Sequence, residues 1–476
     1  MFDSSHIPRP QVAWFFLASA LILAFPLSAI GRAAQSSSQN SRTQGTASNE
    51  QIGSLLAQAL ELLRSSNLRD AEPLVRRAIA SAPGNSDAHN LLGIILDQKG
   101  QVPAAEKEFR MALQLNPRSI TTRANLGVLL ARTGRTDEAI QLLEAVLQAA
   151  PQHPQATLNL GLLYAAKGDH LGAVRLLEQA DLLQPHSPDV LVALGAELLY
   201  VKRFDDAVVI LSEANSLNPS APQPLYTLGL IASARGQSEA AIDFWQRAIR
   251  LRPDFAEANF MIGEELVRQR AYQRAAEFYQ RALTQDPAKF AYHVRLGGTY
   301  LLTKQYDEAV GIFQEAALRF PNRPEAHYFV GVAARGRGTY EQAEAAFRKT
   351  VRLQPNNVDA LAQLGFVVGE RARYEEAEML LRRAIKLGDK HFYAHYDLGR
   401  LLVKTSRYGE AIPLLERARL LKPNNPDVHY QLFLALVRLK RKDDADREMA
   451  LFKKLDEQRK LREKAGEREV EEWVKP

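Results

Sequence analysis

The sequence predicts an all-α solenoid built from a 34-residue helix-turn-helix unit that recurs about twelve times. Three series of residues support this fold class. Prolines recur every 34 residues from position 83 to position 355, and the series resumes at 423 after Asp389. Glycines recur with the same period from 93 to 399, and alanines from 71 to 445. A unit this short cannot bury its own apolar face, so each unit must stack on a neighbour.

Each unit is predicted to be a hairpin of two antiparallel helices, as residues 86–119 illustrate. Leu92 and Leu96 lie at helical spacing, and Gly100 can end the first helix in a left-handed conformation. Phe109 lies on the apolar stripe of the second helix, and Pro117 ends that helix because proline cannot continue it. The same order of helix, turn and antiparallel helix is expected in every unit.

Small residues are expected where the two helices of a unit cross. Packed helices lie about 8–10 Å apart, which leaves no room for a long side chain at the crossing point. We expect the repeated glycines of the first helices and the repeated alanines of the second helices to lie there. These structural positions are Gly93, Gly127, Gly161, Gly195, Gly229, Gly263, Gly297, Gly331, Gly365, Gly399, Ala105 and Ala139, with Pro117 and Pro151 closing their units.

The glycine, the two alanines, the bulky residue between them and the closing proline resemble the tetratricopeptide repeat. The resemblance covers residues 52–459 as twelve units. It implies a right-handed superhelical solenoid in which the first helix of each unit lines the concave side. The end units depart from the pattern, since Ala59 and Phe433 replace the glycine and Glu457 replaces the last proline. We expect the last helix to cap the array and residues 460–476 to form a charged cap or tail.

The first fifty residues differ in composition from the rest. Residues 12–30 are almost wholly apolar, follow Arg9, and precede the small residues Gly31 and Ala33, which is typical of a secretory signal peptide. We therefore predict a signal peptide over residues 1–33 of an exported bacterial protein, located in the periplasm or cell envelope. The alternative is an uncleaved membrane anchor, because the run approaches the ~20 residues that a bilayer span needs. Residues 34–50, rich in Ser, Gln, Asn and Thr, predict a flexible linker.

Two asparagines on predicted first helices are candidate partner-binding residues. Asn125 and Asn159 occupy the same position in adjacent units. They resemble the asparagine ladder with which some members of this family grip a peptide backbone, which implies contact with an extended peptide in the concave groove. An amide suits this task because it both donates to a carbonyl and accepts from an N–H. The alternative is that both are surface or interhelical asparagines.

Aromatic residues one position earlier form a second candidate set for partner binding in the groove. They are Tyr226, Phe260, Tyr328, Tyr396 and Tyr430. Exposed rings would offer area for apolar side chains or for sugar rings. The alternative is that these rings pack between adjacent first helices.

Composition and spacing argue against several other classes of protein. The chain has no cysteine, so it offers no disulfide and no thiolate nucleophile. Its 61 basic and 55 acidic residues give a net charge of +6, and nucleic-acid binding would need clustered basic charge. Five histidines recur at one position, but neighbouring units are about 10 Å apart and Zn–N bonds are ~2.0–2.1 Å long, so neither a metal nor another cofactor is predicted. The recurring histidines are His89, His293, His327, His395 and His429.

The repeats take up nearly all of the chain after residue 52, so we predict no enzymatic activity. The predicted function is a non-catalytic protein–protein interaction scaffold or adaptor of the cell envelope, which binds an extended peptide or partner proteins. The alternative is a carbohydrate-binding or exopolysaccharide-export component that uses the aromatic groove. Membrane contact is expected only through residues 12–30, if they are not cleaved.

Overall fold

The computed structural model describes residues 44–464, and every regular element among them is an α-helix. The 24 helices pair in chain order into twelve hairpins, which confirms the predicted fold class and repeat number. The chain divides into two compact units, one ending at Leu251 and the other beginning at Arg252. Each unit contains six hairpins.

In every hairpin the odd-numbered helix comes first and the even-numbered helix second. The helices of the first unit are α1 (Gln44–Arg64), α2 (Leu68–Ser81), α3 (Ser86–Gln98), α4 (Val102–Leu115), α5 (Ile120–Arg132), α6 (Thr136–Ala149), α7 (Pro154–Lys167), α8 (His170–Leu183), α9 (Pro188–Tyr200), α10 (Phe204–Leu217), α11 (Pro222–Ala234) and α12 (Ser238–Leu251). The helices of the second unit are α13 (Ala256–Arg268), α14 (Tyr272–Gln285), α15 (Phe290–Leu302), α16 (Tyr306–Arg319), α17 (Pro324–Arg337), α18 (Tyr340–Leu353), α19 (Val358–Glu370), α20 (Tyr374–Leu387), α21 (Phe392–Lys404), α22 (Tyr408–Leu421), α23 (Pro426–Arg438) and α24 (Lys442–Lys464).

Neighbouring hairpins stack through both of their helices. Within each unit, a second helix packs against its own first helix and against the first helix of the next hairpin. The first helices of most neighbouring hairpins also touch one another. The exposed side chains of the odd-numbered helices therefore form a continuous surface within each unit, which we call the first-helix surface.

The repeated glycines lie where the helices of a hairpin cross, as predicted. A Cβ atom on Gly93 would lie 2.6 Å from the Phe109 ring, and a Cβ atom on Gly331 would lie 2.6 Å from the Phe347 ring. Both rings are almost fully buried, and so is Ala105 on the second helix. The glycines thus make room for the bulky residue that forms the centre of each hairpin core.

Every first helix is followed by one residue in the left-handed conformation, which turns the chain toward the second helix. Gly100, with φ of 73°, fills this position as predicted, and glycine does so in five hairpins. The other seven hairpins place a larger residue there, although this conformation is uncommon for residues with a Cβ atom. These residues are Ser66, Lys202, Arg270, Lys304, Ala372, Ser406 and Lys440.

The ends of the described array differ from the internal hairpins. Helix α1 begins at Gln44, so residues 44–50 of the predicted linker are helical. Helix α24 continues to Lys464, in line with the absence of a proline at Glu457. The predicted signal peptide or anchor, residues 34–43 and residues 465–476 lie outside the described residues. Between Gln44 and Lys464, no helix is both long and apolar enough to cross a membrane.

Candidate binding site on the first helices

The two candidate asparagines of the first unit make contacts within the protein. Asn125 on α5 is half-buried, and its Nδ2 donates to Asn90 Oδ1 at 3.0 Å. Asn159 on α7 is 2% exposed, and its Nδ2 donates to the Gln155 carbonyl at 2.7 Å. The structure therefore corrects the assignment of Asn159, because its amide is buried against its own helix and cannot reach a partner. A two-rung asparagine ladder is not presented on this surface.

Tyr226 on α11 is also removed from the set of exposed groove residues. Its side chain lies in the core of the first unit, with an exposed fraction of 7%. The Trp245 indole on α12 packs nearby and donates through Nε1 to the Tyr226 carbonyl at 3.1 Å. Tyr226 therefore fits the alternative stated for the aromatic series, in which the rings are packed within the protein and are not exposed in the groove.

Three aromatic candidates of the second unit are half-buried and lean on neighbouring rings. The centroid of Phe260 lies 4.9 Å from that of Tyr292. Tyr328 lies 5.7 Å from Phe347. Tyr396 stacks on Phe392 at 5.7 Å with an interplanar angle of 6°. Burial raises the pKa of the Tyr328 and Tyr396 hydroxyls above the ordinary value, so both rings belong largely to the packing and present only part of their area to a partner.

Tyr430 on α23 is the most exposed member of the predicted aromatic set. Its exposed fraction is 39%, and its ring rests against Phe452 of α24 at a centroid distance of 5.1 Å. This ring combines a supported position with open area, which is the combination that a contact residue needs.

A cluster of charged residues surrounds Phe366 on α19 in the second unit. The guanidinium carbons of Arg335 and Arg400 lie 3.9 and 4.7 Å from the ring centroid, within the range of cation–π attraction. Arg335 also donates to the Gln363 side chain. Arg400 forms an ion pair with Glu370 at 3.0 Å. The ring and the ion pair hold both guanidinium groups in place on the first-helix surface.

A small cleft opens beside this cluster, between α19 and α21. Leu381 and Leu401 contribute apolar lining, and Lys404 and Gly369 also line it. A Cβ atom built on Gly369 would make only ordinary contacts, the nearest at 3.4 Å to Ala377 Cβ.

Asp397 on α21 is the deepest charged group of the cleft. Its side chain is 4% exposed, and the nearest cation contact is Arg400 Nε at 3.8 Å, which is too long for a hydrogen bond. Burial raises the pKa of Asp397 to about 6, although the positive charges of Arg335 and Arg400 favour the ionised form. Arg400 Nε is itself buried without a hydrogen-bond partner. The cleft therefore holds an acceptor and a donor that do not satisfy each other.

Asp397 was not among the residues singled out by sequence reasoning, although a signal for it exists. Asp397 and Gln363 lie a whole number of 34-residue repeats after Asn125 and Asn159. Extending the asparagine position along the whole array would have found both residues. Only the structure shows that Asn159 has a hydrogen-bond partner, whereas Asp397 has an ion-pair contact to Arg400 that is too long for a hydrogen bond.

Two of the recurring histidines, His395 and His429, make polar contacts within the protein. His395 Nε2 lies 2.9 Å from the Asp389 carbonyl. His429 Nε2 lies 3.0 Å from the Pro423 carbonyl, and its Nδ1 lies 2.6 Å from Glu448. In the part of the chain that the structure describes, no group of three or more His, Asp or Glu side chains is arranged to hold a metal ion.

Stacked helical hairpins with a continuous surface of first helices define a helical-repeat protein of the solenoid class. Models of the tetratricopeptide repeat match residues 56–120, 125–188, 226–290 and 369–428. Two further models of the same repeat match residues 266–331 and 402–459, and residues 324–357. The chain belongs to the tetratricopeptide repeat family.

Several solved structures resemble the chain at low sequence identity. The crystal structure of the APC/C hetero-tetramer Cut9-Hcn1 is 15% identical with a TM-score of 0.43, covering 86% of this chain and 95% of that chain. That of pilF from Pseudomonas aeruginosa is 22% identical with a TM-score of 0.40, covering 44% and 94%. That of YrrB, a TPR protein with an unusual peptide-binding site, is 22% identical with a TM-score of 0.36, covering 39% and 95%. TM-scores this low support no functional conclusion.

A comparison with curated protein sequences gives no significant match. The family models that match all describe the tetratricopeptide repeat, a fold typical of non-catalytic scaffolding. Family membership thus supports a role as a protein-interaction scaffold.

Proposed function

We propose that this protein is a non-catalytic scaffold of the cell envelope, which binds an extended peptide or partner proteins along the first-helix surface of its second unit. The observation that carries this proposal is the group of partly exposed aromatic and charged side chains on adjacent first helices. Phe366, Lys404 and Tyr430 lie on α19, α21 and α23, three successive first helices.

A preformed surface of this kind suits an extended partner. Each helix is fixed by its hairpin core, so the surface loses little conformational freedom on binding. Contacts repeated on successive helices can then add along one peptide chain. Aromatic rings supply apolar contact area, while charges of both signs select among peptide side chains.

The test is a cross-linked pull-down from the native cell envelope with two variants that are matched in charge and that each lose one exposed apolar side chain. The test variant carries Lys404→Glu, Arg438→Glu and Tyr430→Ser, all at exposed positions of first helices. The control carries Lys386→Glu, Lys453→Glu and Leu420→Ser, all at exposed positions of second helices. We expect a discrete protein to be captured by wild type and control but not by the test variant. Equal capture by both variants would refute binding through the first-helix surface.

The envelope location rests on the apolar run 12–30 and the small residues that follow it. Cell fractionation with mass spectrometry of the intact protein tests it. A chain that starts near residue 34 would indicate a cleaved signal peptide, and a full-length chain that needs detergent for extraction would indicate an anchor. Recovery of the full-length chain in the cytoplasmic fraction would overturn the proposed location.

A carbohydrate ligand is the second candidate, favoured by the open ring of Tyr430. Aromatic faces can pack against the apolar side of a sugar ring. Polysaccharide that is retained by wild type after protease digestion of bound material, and lost in Tyr430→Ser, would support this ligand over a peptide.

A further inference from the structure

Positive charge is clustered at the ends of two neighbouring second helices of the second unit, α18 and α20. Their last two turns, residues 346–353 and 380–387, contain six arginines and lysines and no carboxylate. The corresponding segments of α8 and α10 in the first unit, residues 176–183 and 210–217, contain carboxylates and no cation. The positive charge is therefore a property of the second unit and is not required by the repeat.

Two of the six cations are neutralised by carboxylates of their own helices. Arg348 pairs with Glu344 at 2.8 Å. Arg382 pairs with Glu378 at 2.7 Å. The other four make no ion pair with any residue that the structure describes, and we call them the cationic patch. They are Lys349, Arg352, Arg383 and Lys386.

The cationic patch forms one surface across the two hairpins. Lys349 and Arg383 share one repeat position, and Arg352 and Lys386 share another. Arg383 Nη2 donates to the Pro355 carbonyl at 2.8 Å, so its guanidinium lies at the end of α18, three residues beyond Arg352. Arg352, Arg383 and Lys386 are exposed, and Lys349 is half-buried. Four cations without internal ion pairs thus face solvent together.

Exposed leucines lie on both sides of the cationic patch. Leu318 on α16 and Leu420 on α22 occupy the repeat position of Arg352 on the flanking second helices. Their exposed fractions are 83% and 69%. Large apolar side chains are rarely left this open unless they have a binding role. The flanks of the patch therefore offer apolar contacts beside its charges.

Apolar side chains are also exposed within the patch. Met379 and Leu387 lie one helical turn before and one turn after Arg383 on α20, and both are exposed. The exposed carboxylates Glu315 and Glu416 lie on α16 and α22, one turn before the flanking leucines and outside the patch. Cations and apolar side chains are therefore mixed at the centre, and carboxylates are confined to the flanks.

We propose that this surface of α16, α18, α20 and α22 binds an anionic lipid bilayer. Lipid phosphates would accept hydrogen bonds from the cationic patch, and the leucines and Met379 would enter the boundary between headgroups and acyl chains. A soluble acidic peptide or a nucleic acid would pair with the cations but leave the apolar side chains in water. The combination of unpaired cations and exposed leucines therefore favours a bilayer.

This binding goes beyond the scaffold function, because it uses the second helices and leaves the first-helix surface open to a protein partner. A chain held in this way would present its first-helix surface beside the membrane. The envelope location proposed above brings the chain close to such a bilayer.

A fluorescent label at one leucine tests the proposal, because the chain has no cysteine of its own. Leu318→Cys in the full chain carries an environment-sensitive fluorophore. The control is Leu182→Cys, which has the same repeat position in the first unit and a similar exposed fraction of 81%. The signal reports on the labelled position alone, so it does not depend on whether residues 12–30 are present and enter the bilayer.

The probes are vesicles of phosphatidylcholine with about 30% phosphatidylglycerol, and vesicles of phosphatidylcholine alone. We expect a blue shift of the label at position 318, and its quenching by brominated acyl chains, with the anionic vesicles only. The label at position 182 should not respond. The response should weaken as the NaCl concentration rises from about 0.05 to 0.5 M, since salt screens the attraction.

A charge variant and a matched control identify the cations responsible. The test variant replaces all four residues of the cationic patch by glutamine. Each cation near an anionic bilayer contributes about fivefold in affinity, so the response at subsaturating lipid should fall at least tenfold. The control variant loses the same charge at exposed positions elsewhere in the second unit and should respond like wild type. Its substitutions are Arg274→Gln, Lys304→Gln, Lys440→Gln and Lys442→Gln.

Four results would overturn the inference. They are the absence of a response at position 318, equal responses at positions 318 and 182, an equal response to both kinds of vesicle, and an undiminished response in the test variant. Poly-L-glutamate that perturbs the label through the same four cations, where vesicles do not, would identify a soluble acidic partner and also overturn it.

Failure of this inference can be distinguished from failure of the proposed function. The pull-down control with Lys386→Glu, Lys453→Glu and Leu420→Ser removes one cation and one leucine from the proposed membrane surface. It should bind anionic vesicles more weakly than wild type and still capture the protein partner. Loss of partner capture in the first-helix variant, together with no vesicle response at position 318, would leave the scaffold function standing and refute membrane binding alone.

Discussion

Replacing two adjacent glycines by alanine should change local stability in opposite directions. Gly297 and Gly298 lie next to each other on α15, but only Gly297 faces the second helix of its hairpin. A Cβ atom on Gly297 would lie 2.5 Å from Phe313 Cζ, whereas a Cβ atom on Gly298 would have no neighbour within 4 Å. The two substitutions are chemically identical, so the difference between them measures packing alone.

The expected magnitudes follow from this geometry. Alanine in a helix interior is favoured over glycine by about 0.5–1 kcal/mol, and Gly298→Ala should gain that amount. At Gly297 the same gain is opposed by overpacking, typically about 1–3 kcal/mol. Phe313 has little freedom to move, because it is almost fully buried and stacks on Phe329 at 5.2 Å. We expect Gly297→Ala to destabilise the hairpin, with a difference of about 2 kcal/mol between the two variants.

Native-state hydrogen exchange of α15 and α16 is the suitable assay, because long repeat arrays need not unfold in one cooperative step. A difference of about 2 kcal/mol corresponds to roughly thirtyfold in the opening equilibrium, since 1.4 kcal/mol is tenfold. Exchange should be faster than wild type in Gly297→Ala and slower in Gly298→Ala. Protection that moves in the same direction in both variants would refute the assignment of the glycine positions to the helix crossing.

Three further predictions concern titratable groups. Burial raises the pKa of Asp397 to about 6, so the folded state loses stability as pH rises from about 4 to 6. The loss of unfolding free energy is at most about 3 kcal/mol. The Asp397→Asn variant should lack this pH dependence in urea unfolding curves. Hydrogen bonds from Arg373, Arg348 and Arg371 lower the pKa of Glu344 to about 2, so Glu344→Gln should be destabilised at pH 7, with the gap to wild type closing as pH falls from about 4.5 towards 2. The Glu448 carboxylate raises the pKa of His429 above its ordinary value. The pair therefore stabilises the last hairpin at low pH, and this stabilisation is lost as pH rises through the raised pKa. A pKa of His429 below 6.5, measured by NMR titration of the imidazole, would contradict this prediction.

The sequence alone was sufficient for the hairpins because their determinants are local and repeated. The spacing of Gly93, Phe109 and Pro117 places a helix crossing and a helix end within each unit, whatever the partner. Seven hairpins nevertheless complete the turn after their first helix without glycine, as Lys202 does with φ of 62°. There, stacking on the neighbouring hairpins determines the backbone conformation more strongly than the preference of the residue itself.

The binding residues were harder to predict because exposure depends on neighbours that lie outside the repeat. Tyr226 and Tyr430 occupy the same repeat position, yet the first is 7% exposed and the second 39%. Tyr430 belongs to the last hairpin, so no further first helix stacks on it along the described chain. A periodic pattern therefore identifies candidates for a surface but does not rank them.

The four residues at one shared repeat position, Asn125, Asn159, Gln363 and Asp397, show how much the contacts of a single position vary along the array. Asn125 pairs with Asn90, Asn159 with its own helix, and Gln363 with Arg335. Each of these side chains makes a hydrogen bond within the protein. Asp397 is 4% exposed, and its nearest cation contact is Arg400 Nε at 3.8 Å. One repeated position therefore carries four different sets of contacts, because the residue type and its neighbours change from one hairpin to the next.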